Sequence, residues 1–294
     1  MTKTIRLAAL LTLIPQLVAA QATDSAAQRA KECPSCAAWN AAQSPFRIHG
    51  NTYYVGTRGL TAILITSNDG HVLIDAGLPE SAPLIEANIR ALGYRVPDVK
   101  LILKSHAHFD HAGGIAALQR ASRAQVAATE ASARMMKAGA PTRDDPQYGE
   151  ALAYPRVSNV RVIEPGDTVR VGATALVAHL TAGHTPGSTT WTWRSCEGDR
   201  CLDMVYADSQ TPISADDFYF TRSTSYRTGV QDFERGHAII EQLPCDVLVA
   251  PHPGAVRLFE RVAAGELVDR SACRRYAENA RKQLADRIAK EKGK

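Results

Sequence analysis

Nine histidines are spread over 294 residues, and three of them fall in one short stretch, Ser105-His106-Ala107-His108-Phe109-Asp110-His111-Ala112-Gly113-Gly114. A chain of this composition would place three His and one Asp in that register by chance roughly 5 times in 10,000. Imidazole nitrogens and carboxylate oxygens are the ligands zinc takes, so the chemistry on offer is metal-assisted hydrolysis. The mostly apolar run Val99 to Lys104 leads straight into the motif. In an extended chain residues i and i+2 point to the same side, so His106 and His108 can share one metal. On a helix they would stand about 200° apart and could not. Asp110 and His111 follow in the turn before Gly113-Gly114, free to face a second metal beside the first.

Two more candidates stand at strand ends. His184 lies in Ala182-Gly183-His184-Thr185-Pro186-Gly187, after the strand Thr174–Leu180, and His252 lies in Ala250-Pro251-His252-Pro253-Gly254, after the strand Asp246–Ala250. Gly and Pro on either side hold such a ligand loop rigidly. With these two the ligands number six, enough for two metals with three protein ligands each. Three ligands leave a zinc one open position for water, the mark of a catalytic site. His49, His71, His179 and His237 are assigned structural roles.

The elements that must position these residues alternate. Short strands are expected at Tyr53–Gly56, Ala62–Thr66 and His71–Asp75, the last two joined by the turn Asn68-Asp69-Gly70. A helix from Ser81 to Leu92 stops at Gly93, and the strand Val99–Lys104 follows. Next come a helix near Gly114–Arg120, the strand Gln125–Ala128 and a helix Glu130–Lys137. Residues 138–157, with Pro141, Pro146 and Pro155, read as a long loop, and such loops are often functional. The second half repeats the outline. Strands fall near 160–163, 168–171, 174–180, 189–194 and 202–207, then come a helix Tyr226–Gln242, the strand Asp246–Ala250 and a charged helix Ala272–Lys290. Two halves, each mostly β then α, imply two sheets face to face with helices outside.

Composition narrows the class. The chain is 45% hydrophobic and 22% charged, ordinary globular proportions that disfavour disorder and coiled coil. Lys3 and Arg6 before the apolar run Leu7–Leu13, then Val18-Ala19-Ala20 or Ala20-Gln21-Ala22, form the pattern of an export signal over residues 1–20, cleaved after Ala20 or Ala22. Residues 21–294 are then one catalytic domain. The formal charge of +4 falls to about +2 without Lys3 and Arg6, too weak to suggest nucleic acid. No apolar run reaches the roughly 18–20 residues that span a bilayer, so no membrane partner is expected. Six cysteines suit an oxidising compartment, the periplasm, although six allow 15 connectivities. Cys196/Cys201 would staple a turn between two strands. Cys245/Cys273 would dock the C-terminal helix, for roughly 3 kcal/mol. A small local disulfide is preferred for Cys33/Cys36, since no second Cys pair stands at zinc-ligand spacing.

His106-x-His108-x-Asp110-His111, with His184 and His252 downstream, resembles the metallo-β-lactamase superfamily signature. The resemblance implies an α+β fold, a four-layer αββα sandwich with the metals at one edge of the sheets. Gly50–Thr57, His184–Trp193, Tyr206-Ala207-Asp208-Ser209 and Leu243-Pro244-Cys245-Asp246 are similar to class B β-lactamases of the third subclass, whose second zinc takes Asp and two His. Carried over by position, His106, His108 and His184 would bind the first zinc, and Asp110, His111 and His252 the second. Asp110 would also orient the attacking water. Ser209 and Thr211 would hydrogen-bond the carboxylate of a β-lactam, and Gln147 would help position the water. Phe218-Tyr219-Phe220 covers the region where some members place an aromatic against the lactam carbonyl. Arg58 stands where some relatives have a Cys that pairs with an N-terminal Cys, which leaves Cys33 and Cys36 to each other.

The implied activity is hydrolysis of penicillins, cephalosporins and carbapenems by a monomer acting on a small molecule. The rival is another di-zinc hydrolase of the same fold, a thioesterase or an acyl-homoserine lactonase. Those add an Asp that bridges both metals, and Asp208 is the candidate. A serine β-lactamase is excluded because the chain holds no Ser-x-x-Lys.

Overall fold

The structure, a computed structural model, describes residues 33–293, so the export-signal segment lies outside the described residues. Residues 33–37 belong to an N-terminal unit, in which Cys33 is bonded to Cys36. The unit from Ala38 onward holds two sheets. The first runs in chain order: β1 Phe46–His49, β2 Thr52–Tyr54, β3 Ile63–Ile65, β4 His71–Ile74, β5 Val99–Leu103, β6 Gln125–Ala128 and β7 Val160–Val162. The second has the order β12-β11-β10-β9-β8, from β8 Thr168–Val171, β9 Thr174–Leu180, β10 Thr189–Glu197, β11 Arg200–Tyr206 and β12 Val247–Val249. The helices are α1 Ala82–Ala91, α2 Phe109–Ala112, α3 Ile115–Ser122, α4 Glu130–Ala138, α5 Gly229–Gln242, α6 Leu258–Ala264 and α7 Ala272–Lys292.

Pairing explains the connections. β4 to β7 are parallel neighbours, and parallel strands need crossovers, which α1, α2 with α3, and α4 supply in turn. Alternation along each strand then builds the layers. Val72 and Ile74 of β4, with Leu101 and Leu103 of β5, pack between the sheets against Leu176, Trp191, Met204, Tyr206 and Val249. Leu73 and Ile102 face the other way, onto Ile85, Ile89, Ile115 and Leu118. In the second sheet Val205 and Leu248 face outward onto Ile240, Ala272, Cys273 and Ala277. Helix, sheet, sheet, helix is the αββα sandwich expected, and strands buried on both faces explain the continuous apolar runs.

The differences are local. The strand expected over His71–Asp75 stops at Ile74, because Asp75 takes a positive φ of 62°. The helix expected from Tyr226 starts at Gly229, and β1 and α6 carry no periodic signal long enough to read. Cys196 and Cys201 face each other across the β10–β11 hairpin and are bonded, and Cys245 is bonded to Cys273.

Candidate metal centre

Four of the six ligand candidates follow strand ends, while Asp110 and His111, expected in a turn, stand in the one-turn helix α2 that begins directly after His108. β5 ends at Leu103, and the segment beyond it is fixed from behind by Asp75 at the end of β4. The Asp75 carboxylate accepts from the Ser105 amide and hydroxyl, both at 2.6 Å, and from the Tyr206 hydroxyl at 2.6 Å. Lys104, fully buried, donates from Nζ to the carbonyls of Ser105 (3.1 Å) and Gly187 (2.8 Å), so it ties the His106 segment to the His184 loop. Burial lowers its pKa to about 8. Gly113 and Gly114 let the turn after His111 close, since a Cβ on Gly113 would lie 2.5 Å from Pro79 Cδ and one on Gly114 2.3 Å from the Ala76 carbonyl.

One nitrogen of four of the five rings, all but His111, is held by the protein, which decides the nitrogen that remains. His106 donates from Nδ1 to Asp208 Oδ1 at 2.7 Å, leaving Nε2. His108 donates from Nε2 to Asp145 at 3.1 and 3.2 Å, leaving Nδ1. His184 donates from Nδ1 to the Thr211 carbonyl at 2.9 Å, leaving Nε2. One ligand atom from each of these three lies within 4.8 Å of the others, all three residues being buried. His106, Asp110 and His111 meet the same test. His252 donates from Nδ1 to the Gly59 carbonyl at 3.2 Å and brings Nε2 to 3.4 Å from Asp110 Oδ2, while His111 Nε2 stands 3.2 Å from that same oxygen.

Electrostatics agree with this geometry. Burial, with His111 and His184 beside it, holds His106 well below the ordinary imidazole range. Burial and His108 bring His184 down to about 4. Both rings are therefore neutral, the form that binds a metal. Burial opposes charge on His108 and His111, but the carboxylates of Asp145 and Asp110 outweigh it and raise both. Burial likewise opposes the Asp110 carboxylate, yet His111 and His252 hold it well below the usual range. His111 is buried with neither ring nitrogen in a proper hydrogen bond. Orphaned donors, buried imidazoles turned toward one another and one carboxylate form a set that fits zinc.

The family model of the metallo-β-lactamase superfamily matches residues 55–258. The chain belongs to this superfamily. Among solved structures it is similar to the Rm3 metallo-β-lactamase, at 51% identity and a TM-score of 0.87, over 88% of this chain and 99% of that one. It is also similar to MEM-A1, a subclass B3 metallo-β-lactamase from a soil metagenome library, at 45% identity and a TM-score of 0.85, over 87% and 99%. The chain spans about half the length of the curated relatives it matches. One is a hydroxyacylglutathione hydrolase from Anaeromyxobacter dehalogenans, 34% identical over 139 residues, 47% of this chain and 43% of that one.

The cavity at these ligand candidates has a volume of about 350 Å³ and brings together His108, Asp110, His184, His252, Ser209, Thr211 and Gln147. The aromatic segment Phe218–Phe220 does not line it. Phe220 is buried against Phe233 and Leu284, with Phe218 packed beside them, and Tyr219 lies under the Arg222 guanidinium at 3.8 Å. The rings at the cavity are Trp39, Phe109 and Tyr276. Arg58, in place of a Cys, lies over the Phe259 ring at 4.5 Å. Asp208, the candidate bridge of the rival reading, sits behind His106 instead. The four remaining histidines lie outside the centre: His49 against the Arg200 carbonyl, His71 against Tyr94, His179 against Thr192 and His237 buried in α5. Sequence reasoning missed Asp75, Lys104 and Asp145. Lone polar residues at strand ends and in a long loop carry no spacing, and the only signal was a charged residue closing an apolar run.

Proposed function

We propose that this protein is a zinc-dependent β-lactamase opening the four-membered amide of penicillins, cephalosporins and carbapenems, with two zinc ions per chain. The observation that carries the reading is the pair of converging ligand groups, His106, His108 and His184 beside Asp110, His111 and His252, four of which (His108, Asp110, His184 and His252) line one cavity. Zinc held there supplies Lewis acidity toward a carbonyl oxygen and makes water a nucleophile near neutral pH. Asp110 is the single carboxylate lining the cavity, so it is the group that orients the attacking water. The hydroxyls of Ser209 and Thr211, on the segment after β11, donate to the substrate carboxylate, and Gln147 approaches from the loop after α4. Half-exposed Ile213 offers the substrate's side group an apolar contact.

Similarity to two metallo-β-lactamases over nearly their whole length supports the reading. Asp208, the bridge that the thioesterase or lactonase reading needs, accepts from His106 Nδ1 on Oδ1 and does not line the cavity, which favours the lactamase reading. Export to the periplasm and a monomeric state complete the proposal. Among the described residues no helix is long and apolar enough to cross a membrane.

The test is hydrolysis by zinc-loaded protein of a carbapenem, a thioester and an acyl-homoserine lactone in parallel. Carbapenem absorbance should fall, and serine-directed suicide inhibitors should not prevent it. Cleavage of the thioester or lactone with an intact carbapenem would overturn the reading. Metal analysis should find two zinc ions in the wild type and one in His252→Ala.

A further inference from the structure

The segment after β11 does more than line the cavity. Within four residues it supplies the carboxylate of Asp208 to His106 and the carbonyl of Thr211 to His184. Two of the first three ligand candidates therefore depend on where residues 208–211 sit, and no strand ladder fixes them, because β11 ends at Tyr206. The Asp208 amide donates to Thr190 Oγ1 at 3.1 Å, and Gln210 Nε2 donates to the Thr181 and Ser209 carbonyls at 3.0 and 3.1 Å. The Asp208 carbonyl is held from α7, by the Tyr276 hydroxyl at 3.0 Å.

That helix is itself anchored. Cys273 stands three residues before Tyr276, hence on the same face, and its bond to Cys245 pins α7 to the segment leading into β12. Cys273 and Ala277 are buried against Val205, Leu248 and Ile240, so the helix is held by packing as well. The Tyr276 ring borders the catalytic cavity on one side and, on the other, a second cavity of about 540 Å³ lined by Leu248, Val256, Arg261 and Asn279.

We propose that Tyr276 is a positioning residue of the metal centre, fixing the His106 and His184 rings through the 208–211 backbone, with Cys245–Cys273 as its anchor. The inference rests on the zinc reading. Partners in direct contact with a metal ligand typically change metal affinity 10–100-fold when removed, and Tyr276 acts one residue further out.

The test compares zinc-loaded Tyr276→Phe with wild type by chelator competition. This variant keeps the ring and removes only the hydroxyl. Its apparent zinc dissociation constant should rise about 3- to 10-fold. The visible spectrum of its cobalt-substituted form should shift, which a loss of stability alone would not cause. Tyr53→Phe removes a hydroxyl that bonds Tyr94 in the first sheet and should change neither. The double variant Cys245→Ser with Cys273→Ser should move affinity in the same direction as Tyr276→Phe, and it decides the matter if Tyr276→Phe does not fold. Wild-type affinity and an unshifted cobalt spectrum in the folded variants would overturn the inference and leave the zinc reading standing. A wild-type protein that binds no zinc would end both.

Discussion

Asp145→Ala should weaken zinc binding by about 10- to 100-fold. The Asp145 carboxylate is fully buried and takes His108 Nε2–H on both oxygens, at 3.1 and 3.2 Å. A hydrogen bond to a charged partner contributes about 1.5–3 kcal/mol, and burial removes the water that would screen it. At 1.4 kcal/mol per factor of ten, losing it gives the range stated. The alanine variant leaves His108 Nε2–H without its acceptor and the ring free to turn Nδ1 away from the other two imidazoles. It also releases the Gln147 backbone, whose N–H donates to Asp145 Oδ1 at 2.8 Å, so KM should rise as well. Asp145→Asn keeps one oxygen for both donors but trades the other for an NH2 group and loses the charge, so its deficit should be smaller than the alanine variant's, below about tenfold. Chelator competition on folded, zinc-loaded proteins measures all three. An alanine variant within twofold of wild type would refute the argument that the loop carboxylate orients His108.

Asp110→Asn should reduce turnover more than substrate affinity if, as proposed, Asp110 both holds a second zinc and orients water. Wild-type kcat at full metal occupancy would demote it to a structural residue. The double variant Ser209→Ala with Thr211→Ala should raise KM for most β-lactams while metal content stays at the wild-type level. Buried His237, brought down from 6.5 to about 4 by burial and by Arg281, stays neutral when folded but is protonated in the unfolded chain near pH 6.5. Its contribution is fully present above pH 6.5 and is lost as pH falls toward 4, by up to about 3 kcal/mol. Denaturant unfolding at pH 7 and 4.5 should therefore show a smaller acid loss for His237→Leu than for wild type, and an equal loss would count against the assignment.

Strand pattern and metal ligands were legible for the same reason. Each depends on a short-range rule, alternation along a strand or two histidines on one side of an extended segment, that survives without tertiary context. The stretch from Val99 to His108 obeys both, so β5 and the first two ligand candidates could be read together, with Asp110 and His111 added by the motif although they fold as the helix α2. β1 and α6 escaped because neither is long enough to show a period, and both are held by what they pack on.

The sequence by itself determined the class of fold, the six ligand candidates and their grouping by resemblance, and the pairing of Cys196 with Cys201 and Cys245 with Cys273. Only the tertiary structure decided which nitrogen of each histidine is free. That choice belongs to Asp208, Asp145, Thr211 and Gly59, which lie between 27 and 193 residues away from the rings they hold. It also set Asp208, whose role the sequence left open, against His106, and replaced Phe218–Phe220 by Trp39, Phe109 and Tyr276 as the rings at the cavity. A hydrogen bond across the fold costs no local propensity and leaves no periodic trace. The packing that brings the loop after α4, the β2–β3 connection and the segment after β11 against the ligand rings is what sets it.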